Sequence, residues 1–458
     1  MTINVLPDYV LVQIFDFYLI PLHGGRRIER WQLLARVCQR WRDVVFQSPR
    51  RLNLRLVCSP KTRARDGLDI WPPYPLIVSD VDDIYDDERP GVDNIVAALE
   101  HNDRVCQIEL INPELGYVAG STAMHKPFPE LIDLRLGGFG DFAPILPDSF
   151  MGGTAPRLRS LHLHQVPFPR LPKLLLSAPH LVYLYLYDIP RSGHMPPDAM
   201  ATSLSALTSL ELLHLHFRYP RPRPALDTRR LTPPPRTRSI LPNLTMINFK
   251  GANEYLEEIL ARIDTPRLNE LHITFFNQLI FDTPQLFQFI RRRPTPRTPE
   301  KGHIVFTSKA IIAKFSSQTS NHDVLCVKIP CTVSEWQLSS LEQVCTWSLP
   351  PVSILEDLHI FEDEVNPPSW QDDIENTLWL ELLHPFDSVK NLYLCKELMP
   401  RIAAALQELV GGRTTEVLPA LECIFFEGFQ PSGPLHKGIE EFVAARRLTG
   451  HPVAVYEW

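Results

Sequence analysis

Four histidines lie in two pairs, and their spacing is the feature of this chain closest to a chemical motif. His162 and His164 form one pair, and His214 and His216 form the other. Residues i and i+2 of a β-strand share one face of a sheet, so each pair could offer two imidazoles to a metal ion. The repeat described below puts two strand steps between the pairs, about 10 Å at a strand spacing of about 4.8 Å. That distance is too long for one ion, so we expect no metal site and no cofactor.

Other reactive side chains do not form a recognisable motif. None of the eight cysteines forms a C-x-x-C, and the closest pair, Cys326 and Cys331, lacks zinc-knuckle spacing. This distribution is typical of reduced core cysteines in an intracellular protein. An acidic stretch from Asp80 to Glu88 lacks the glycine and closing glutamate of a calcium loop, so a solvated loop is favoured. The sequence contains no glycine-rich phosphate loop, G-x-S-x-G or H-E-x-x-H. We therefore expect no catalytic residue and no enzyme activity.

An L-x-x-L-x-L pattern recurs ten times, and its copies carry the histidines. The last two apolar positions alternate with one other residue, which is strand periodicity, and the first precedes them by three residues. Stacked copies can bury all three positions together, as in a repeat protein. The copies begin at Val105, Leu131, Leu158, Leu181, Leu210, Leu244, Leu268, Leu355, Val389 and Leu421, and a weaker copy begins at Val324.

This repeat predicts an α/β fold with a curved, mainly parallel sheet and with helices and loops outside it. We expect a helical domain over residues 1–50 and an irregular leucine-rich-repeat solenoid over 51–458. The alternation of Leu52, Leu54 and Leu56 predicts the start of the sheet. Two Pro/Arg-rich insertions, near 218–238 and 291–301, are predicted to be loops that protrude from the solenoid.

The first fifty residues contain two amphipathic helical patterns. One follows Leu6-Pro7-Asp8 and ends before Pro21, and the other runs from Trp31 to Val45. Helices this short bury little surface by themselves, so they need a neighbour or a partner.

This segment resembles an F-box over about residues 5–48. The matching residues are Leu6-Pro7, Val10-Leu11, Ile14-Phe15 and the closing Val37-Cys38-x-x-Trp41. The segment departs from the family at Tyr9, where an acid is usual, and in a longer stretch between the helices. The resemblance implies that a Skp-type adaptor binds Leu6, Pro7, Val10, Leu11, Ile14, Phe15, Val37, Cys38 and Trp41.

The same resemblance implies a function. An F-box protein with leucine-rich repeats is a substrate receptor of a cullin–RING ubiquitin ligase, in which a bound conjugating enzyme performs the transfer. The repeats would then bind a protein substrate on their concave side. The residues expected there are aromatic or histidine, which give large rigid contacts with polar ends: His162, His164, Tyr183, Tyr185, Tyr187, His214, His216, His272 and His359.

Two other functions fit the sequence. One is a leucine-rich-repeat scaffold without a ligase link. The other is a nucleic-acid-binding protein, since residues 1–65 carry a net charge of +8 although the whole chain carries −7. The chain shows no signal peptide and no apolar run long enough to span a membrane, so a cytoplasmic or nuclear location is expected.

Overall fold

The chain forms two compact units, Met1–Met195 and Pro196–Trp458. The domain boundary predicted at residue 50 lies inside the first unit and remains a prediction. The computed structural model describes residues 6–19, 30–61, 68, 71–80, 91–111, 118, 121–138, 145–220, 238–276, 281–292, 300–317, 323–348, 352, 354–370, 374–428 and 437–458.

The first unit begins with three helices and continues with six parallel strands. Its helices are α1 (Asp8–Leu19), α2 (Arg30–Val37), α3 (Gln39–Gln47), α4 (Val92–Leu99) and α5 (Leu171–Leu175). Its strands are β1 (Leu56–Cys58), β2 (Leu76–Ser79), β3 (Val105–Leu110), β4 (Asp133–Gly137), β5 (Ser160–His164) and β6 (Tyr183–Ile189). Each strand pairs in parallel with the next one along the chain.

Among its described residues, the second unit contains seven helices and the remaining strands. The helices are α6 (Pro197–Ser205), α7 (Asn253–Leu260), α8 (Pro284–Arg291), α9 (Ser334–Ser348), α10 (Asn376–Leu383), α11 (Met399–Gln407) and α12 (Lys437–Leu448). The strands are β7 (Leu212–Phe217), β8 (Ser239–Ile240), β9 (Met246–Gly251), β10 (Ile263–Asp264), β11 (Glu270–Phe275), β12 (Lys301–Phe306), β13 (Ala310–Ser316), β14 (Asp323–Pro330), β15 (Asp357–Glu362), β16 (Asn391–Leu394), β17 (Cys423–Phe426) and β18 (Ala454–Glu457).

The repeat pattern sets the pairing of the strands within each unit. All thirty apolar positions of the ten strong copies are buried, and none is more than 7% exposed. Equivalent positions lie side by side: Leu134 pairs with Leu161, which in turn pairs with Leu184. Each such side chain contributes roughly 1.5–3 kcal/mol through burial. A mixed α/β fold with mostly parallel strands is therefore confirmed.

One segment of the second unit departs from sequential pairing. The strand order there is β7-β9-β11-β14-β13-β12-β15-β16-β17-β18, so β12, β13 and β14 form a meander that returns toward β11. β13 is antiparallel to both of its neighbours, whereas β12 is parallel to β15. The turn between β12 and β13 is short because Thr307 Oγ1 accepts hydrogen bonds from the backbone amides of Lys309 and Ala310. The sequence pattern did not predict β12 or β13.

The weaker repeat copy is a strand, but its predicted phase is wrong. Leu325 and Val327, rather than Val327 and Ile329, pair with the repeat positions Leu271 and Ile273. The error is a shift of two residues, which keeps the same side chains inside because strand periodicity is two.

Two local predictions near the N-terminus are also wrong. The sheet begins at Leu56 rather than Leu52, because residues 50–53 form turns, although Leu52 and Leu54 are buried. The helix expected from Trp31 to Val45 is divided at Cys38, whose φ of −159° and ψ of 169° are extended. Cys38 then caps α3, since its Sγ accepts a hydrogen bond from the amide of Trp41 at 3.5 Å.

The C-terminal part of the chain contains α12 and β18. Most of both predicted loop insertions, at 221–237 and 293–299, lies outside the described residues, as do 81–90 of the acidic stretch. Within the described residues, no helix is both long and apolar enough to cross a bilayer.

Candidate protein-binding surfaces

Helix α1 is apolar on two opposite sides. Leu11, Val12 and Phe15 are buried, whereas Ile14 is 41% and Phe17 78% exposed. Ile14 and Phe17 of α1, with Leu33 and Val37 of α2, are all more than 40% exposed, and these four apolar residues are named the head face below.

The three helices are anchored on the start of the first unit's sheet. Trp31 Nε1 donates a hydrogen bond to the carbonyl oxygen of Arg55 at 2.9 Å. The Trp31 ring also lies 5.2 Å from Trp71 and 5.6 Å from Tyr74, measured between ring centroids, in edge-to-face contacts. These contacts fix α2 against the residues that flank β1 and β2.

The residues predicted to bind an adaptor divide into two groups. Leu11 and Phe15 are fully buried, so the expectation that they are partly exposed is wrong. Phe15 instead packs on Trp41, with ring centroids 4.8 Å apart, and this contact holds α1 against α3. The other predicted residues are exposed or half-buried: Leu6, Pro7, Val10, Ile14, Val37, Cys38 and Trp41.

An ion pair closes the start of α1 onto α3. Arg40 Nη2 lies 2.7 Å from Asp8 Oδ1 and also donates a hydrogen bond to the carbonyl oxygen of Leu6. Both charged side chains are more than a third exposed, so the pair adds at most about 1 kcal/mol. Its effect is mainly to orient the first turn of α1.

The solvent-facing side of the first unit's sheet carries the predicted tyrosines and histidines. His162 and Tyr185 pair across β5 and β6, and their rings stack at 4.0 Å with planes 21° apart. Tyr187 stacks on Tyr185 at 5.9 Å, and Tyr183 is 40% exposed at the start of the same strand. His164 pairs with Tyr187 and is exposed. These four strand neighbours of His162 therefore share one surface with it.

Charged residues continue this surface across β4 and β3. Arg135 pairs with His162, lies 3.2 Å from Asp133, and lies 3.5 Å from Glu109 on the next strand. Burial lowers the pKa of His162, and the positive charge of Arg135 acts in the same direction. Burial likewise raises the pKa of Tyr185. The stacked rings are thus uncharged at neutral pH, beside a charged cluster.

In the second unit, the predicted histidines fall into two places. His214 and His216 lie on β7, with ring centroids 5.8 Å apart, and His216 Nε2 is 2.9 Å from Asn248 Oδ1. His272, two strands further on, lies 3.6 Å from Glu270.

His359 belongs to a longer stack of rings, which is named the aromatic ladder below. One ring comes from each of five neighbouring strands: His303, His359, Tyr393, Phe425 and Tyr456. Successive ring centroids are 4.4, 4.0, 4.5 and 5.3 Å apart, and no two neighbouring planes differ by more than 25°. The ladder therefore forms a nearly unbroken apolar stripe across the sheet.

Two more aromatic side chains border the ladder. Phe361 lies 5.7 Å from His359, and Trp458 contacts His359 and Tyr393 edge-to-face at 6.0 and 5.7 Å. Trp458 also lies 5.5 Å from Phe361. Since Trp458 remains 48% exposed, the ladder and its border reach solvent together.

The imidazole of His359 is held neutral. Burial lowers its pKa to about 4, and the positive charges of His303 and Lys301 add to the shift. Its Nδ1 is buried without a hydrogen-bond partner among the described residues. The ring of His359 therefore adds no charge to the ladder at physiological pH.

Most of the ladder was outside the sequence prediction. Tyr393 and Phe425 occupy the position between the last two apolar residues of their copies, so the repeat itself indicates them. His303 was missed because its strand carries Gly302 where a large apolar residue is expected, although Gly302 pairs with Leu358. Tyr456 and Trp458 share a face of β18 by the period of two, which could have identified them.

The described histidines and cysteines do not assemble a metal site. Among the residues that the structure describes, no three His, Cys, Asp or Glu side chains are grouped to hold a metal ion. The two histidine pairs lie in different units.

The described ends of the two basic insertions meet at the C-terminus of α7. Arg238 Nε donates to the carbonyl oxygen of Ala261 at 3.1 Å, and Arg292 Nη2 donates to that of Leu260 at 3.3 Å. Arg292 also lies 3.0 Å from Asp264. Cations at this position stabilise the negative end of the helix, so both arginines have a structural role.

A comparison of the chain with known protein families found no family that matches, and a comparison with curated proteins found no similar one.

Proposed function

We propose that this chain is a substrate receptor of a cullin–RING ubiquitin ligase. In this proposal α1, α2 and α3 form an F-box-like head whose exposed apolar face docks on a Skp-type adaptor. The strand copies form a leucine-rich-repeat solenoid that binds a protein substrate on its solvent-facing side. The chain supplies no catalytic group, because the adaptor-bound cullin brings the conjugating enzyme. Such a receptor acts in the cytoplasm or the nucleus.

The observation that carries the proposal is the two-sided apolar character of α1. One side packs inside the head through Leu11 and Phe15, while Ile14 and Phe17 point outward. Large apolar side chains exposed on one side of a helix favour a binding surface there. Because Trp31 fixes the head to the sheet, a partner docked on the head face would be held at a defined place relative to the first unit's strands.

The test is capture of a Skp-type adaptor by the full chain in a pull-down. We expect the unmodified chain to retain the adaptor and Phe17→Asp to lose it by at least tenfold, since a charge would be placed in an apolar interface. Val37→Asp should act in the same direction. The matched control is Leu448→Asp, which alters an 89% exposed leucine on α12 and should leave capture unchanged.

Circular dichroism would show that each variant remains folded. A chain that fails to retain the adaptor, or a Phe17→Asp variant that captures it normally, contradicts the proposal.

A scaffold without a ligase link is the second candidate, and the packing of the head supports it. Trp31, Phe46, Trp71 and Tyr74 form a ring cluster where the sheet begins, so the helices also cover the end of the strand stack. A protein that serves only as a scaffold would bind its partner through the strands and would not retain the adaptor. The same pull-down therefore distinguishes the two functions.

A further inference from the structure

The aromatic ladder is a surface of defined length. Five rings on successive strands about 4.8 Å apart span roughly 19 Å, which equals about three and a half turns of an α-helix. The rings are half-buried, apart from Tyr456, which is 49% exposed. A partner that covers the stripe needs apolar side chains along a comparable length.

The spacing of the rings favours a helical partner over an extended one. Side chains at i and i+4 of a helix are about 5–6 Å apart, close to the ring spacing of 4.0–5.3 Å. Side chains on one face of an extended peptide repeat at roughly 6.6 Å, so they would no longer align with the rings beyond the second one.

The charged residues around the ladder indicate which charge a partner's contacting surface should carry. From residue 352 to residue 458 the sequence has 18 acidic and seven basic residues, a net charge of −11. Exposed carboxylates follow two neighbouring strands at their C-terminal ends: Glu397 after β16 and Glu427 after β17. The β12 end of the ladder differs, because Lys314 pairs with His303 and Lys301 shares the face of His303 by the period of two. At the opposite edge, Glu356 and Glu422 flank Lys390, which bonds Glu356 at 2.8 Å. Along β15 to β18, an aromatic stripe with acidic borders complements an apolar stripe with basic borders.

We propose that the aromatic ladder binds an amphipathic helix of a protein partner, with an apolar stripe bordered by lysine and arginine. The inference rests on the proposed function, because it names the substrate class that the receptor would recognise. Tyr393 and Phe425 lie at the middle of the stripe and supply most of the contact. Trp458, at right angles to Tyr393, forms a side wall that the bound helix meets along its flank.

The test uses an array of synthetic helical peptides about sixteen residues long with one shared apolar stripe. The bordering positions carry lysine and arginine, glutamate, or serine and glutamine. The full chain is applied to the array, and the best basic peptide is then titrated in solution by fluorescence anisotropy. We expect the basic peptides to be retained at least tenfold more strongly than the neutral ones, and the acidic ones not at all.

Three variants assign the binding to the ladder. Phe425→Ala should weaken binding of the basic peptide by tenfold or more, as loss of a central interface aromatic does. Glu427→Gln should weaken it by a smaller factor and reduce its dependence on salt. Trp336→Ala, which alters a 47% exposed aromatic residue on α9, is the control and should leave the affinity unchanged.

Several outcomes would overturn the inference. Equal retention of basic and neutral peptides would contradict the charge argument, and an equal loss of binding in Trp336→Ala would show that the peptide does not bind at the ladder. If the chain retains none of the peptides, an amphipathic helix is not the partner that binds the ladder. Concentration-dependent dimerisation of the chain alone, abolished by Phe425→Ala, would identify a second copy as the occupant instead. Adaptor capture does not involve the ladder, so the adaptor pull-down separates failure of this inference from failure of the proposed function.

Discussion

His359 and Tyr393 stack face to face across β15 and β16, with ring centroids 4.0 Å apart and planes 7° apart. This contact requires a neutral imidazole, because a positive charge there would be buried beside Lys301 and His303.

The ladder should therefore lose stability in acid. The pKa of His359 is lowered from 6.5 to about 4, so its contribution is complete above pH 6.5 and is lost as the pH falls toward 4. We expect the free energy of unfolding to fall by about 1–2 kcal/mol from pH 7 to pH 5 through this group. Urea denaturation of the unmodified chain and of His359→Phe measures the difference. An equal loss in both proteins would show that His359 is not responsible.

Glu257 should produce the opposite dependence on pH. Its carboxylate accepts hydrogen bonds from the amides of Gln285 and Leu286 at the start of α8, yet burial raises its pKa from 4.5 to about 7. A raised carboxyl pKa means that the folded chain holds the proton longer than the unfolded chain does. Stability should thus decrease as pH rises from about 4.5 to 7, by about 1–2 kcal/mol.

Glu257→Gln isolates this effect, because the amide oxygen can still accept a hydrogen bond but cannot ionise. Denaturation at pH 5 and pH 7.5 should show a smaller change in the variant. A change of the same size would mean that the nearby Asp282 or another carboxyl group causes it.

Leu184 and Tyr185 are neighbours with opposite roles. Leu184 is fully buried, whereas Tyr185 stacks on His162 at the surface. Leu184→Ala should lower the free energy of unfolding by roughly 2–5 kcal/mol through a core cavity. Tyr185→Ala should lower it by less than about 1.5 kcal/mol, the range of an aromatic pair. Chemical denaturation gives both values, and a larger effect from Tyr185 would contradict the strand register.

Arg446 should be among the most sensitive positions of the C-terminal helix. It is fully buried, and its guanidinium donates hydrogen bonds to the carbonyl oxygens of Thr414 and Leu421 at 3.1 and 3.0 Å, and to that of Pro419 at 3.2 Å. Arg446→Met would leave these acceptors buried and unpaired, at a cost of at least about 2 kcal/mol. The adjacent Arg447, which is exposed, provides the control: Arg447→Met should change the thermal midpoint little.

The sequence predicts the strand copies well because their signal is both periodic and physical. Positions such as Leu161 and Leu163 must be inside for the fold to be stable, and every strong copy repeats the same requirement. The choice of Tyr185 as a surface residue follows from this phase, since a strand alternates its faces. Thus the fold class and the side of the sheet on which the candidate residues lie could both be obtained from the sequence.

The remaining features depend on contacts that no local pattern encodes. The meander of β12, β13 and β14 lacks the repeat spacing, and Gly302 hides the copy that carries His303. The burial of Phe15 depends on Trp41, which lies on another helix. A sequence motif shows which residues match a family. It does not show which of these residues are buried by packing within the protein, so it cannot define a binding surface alone.

The meander has a consequence for synthesis of the chain. Outside the meander, and apart from β8, which pairs with the later β10, each unit adds strands in chain order, so a new strand finds its partner already made. The outer edge of β12 is different, because its partner β15 begins about fifty residues after β12 ends. At roughly 5–20 residues per second, that edge stays unpaired for several seconds on the ribosome. An open strand edge recruits other strands, so this interval is when a nascent chain is most exposed to aggregation and most dependent on chaperones.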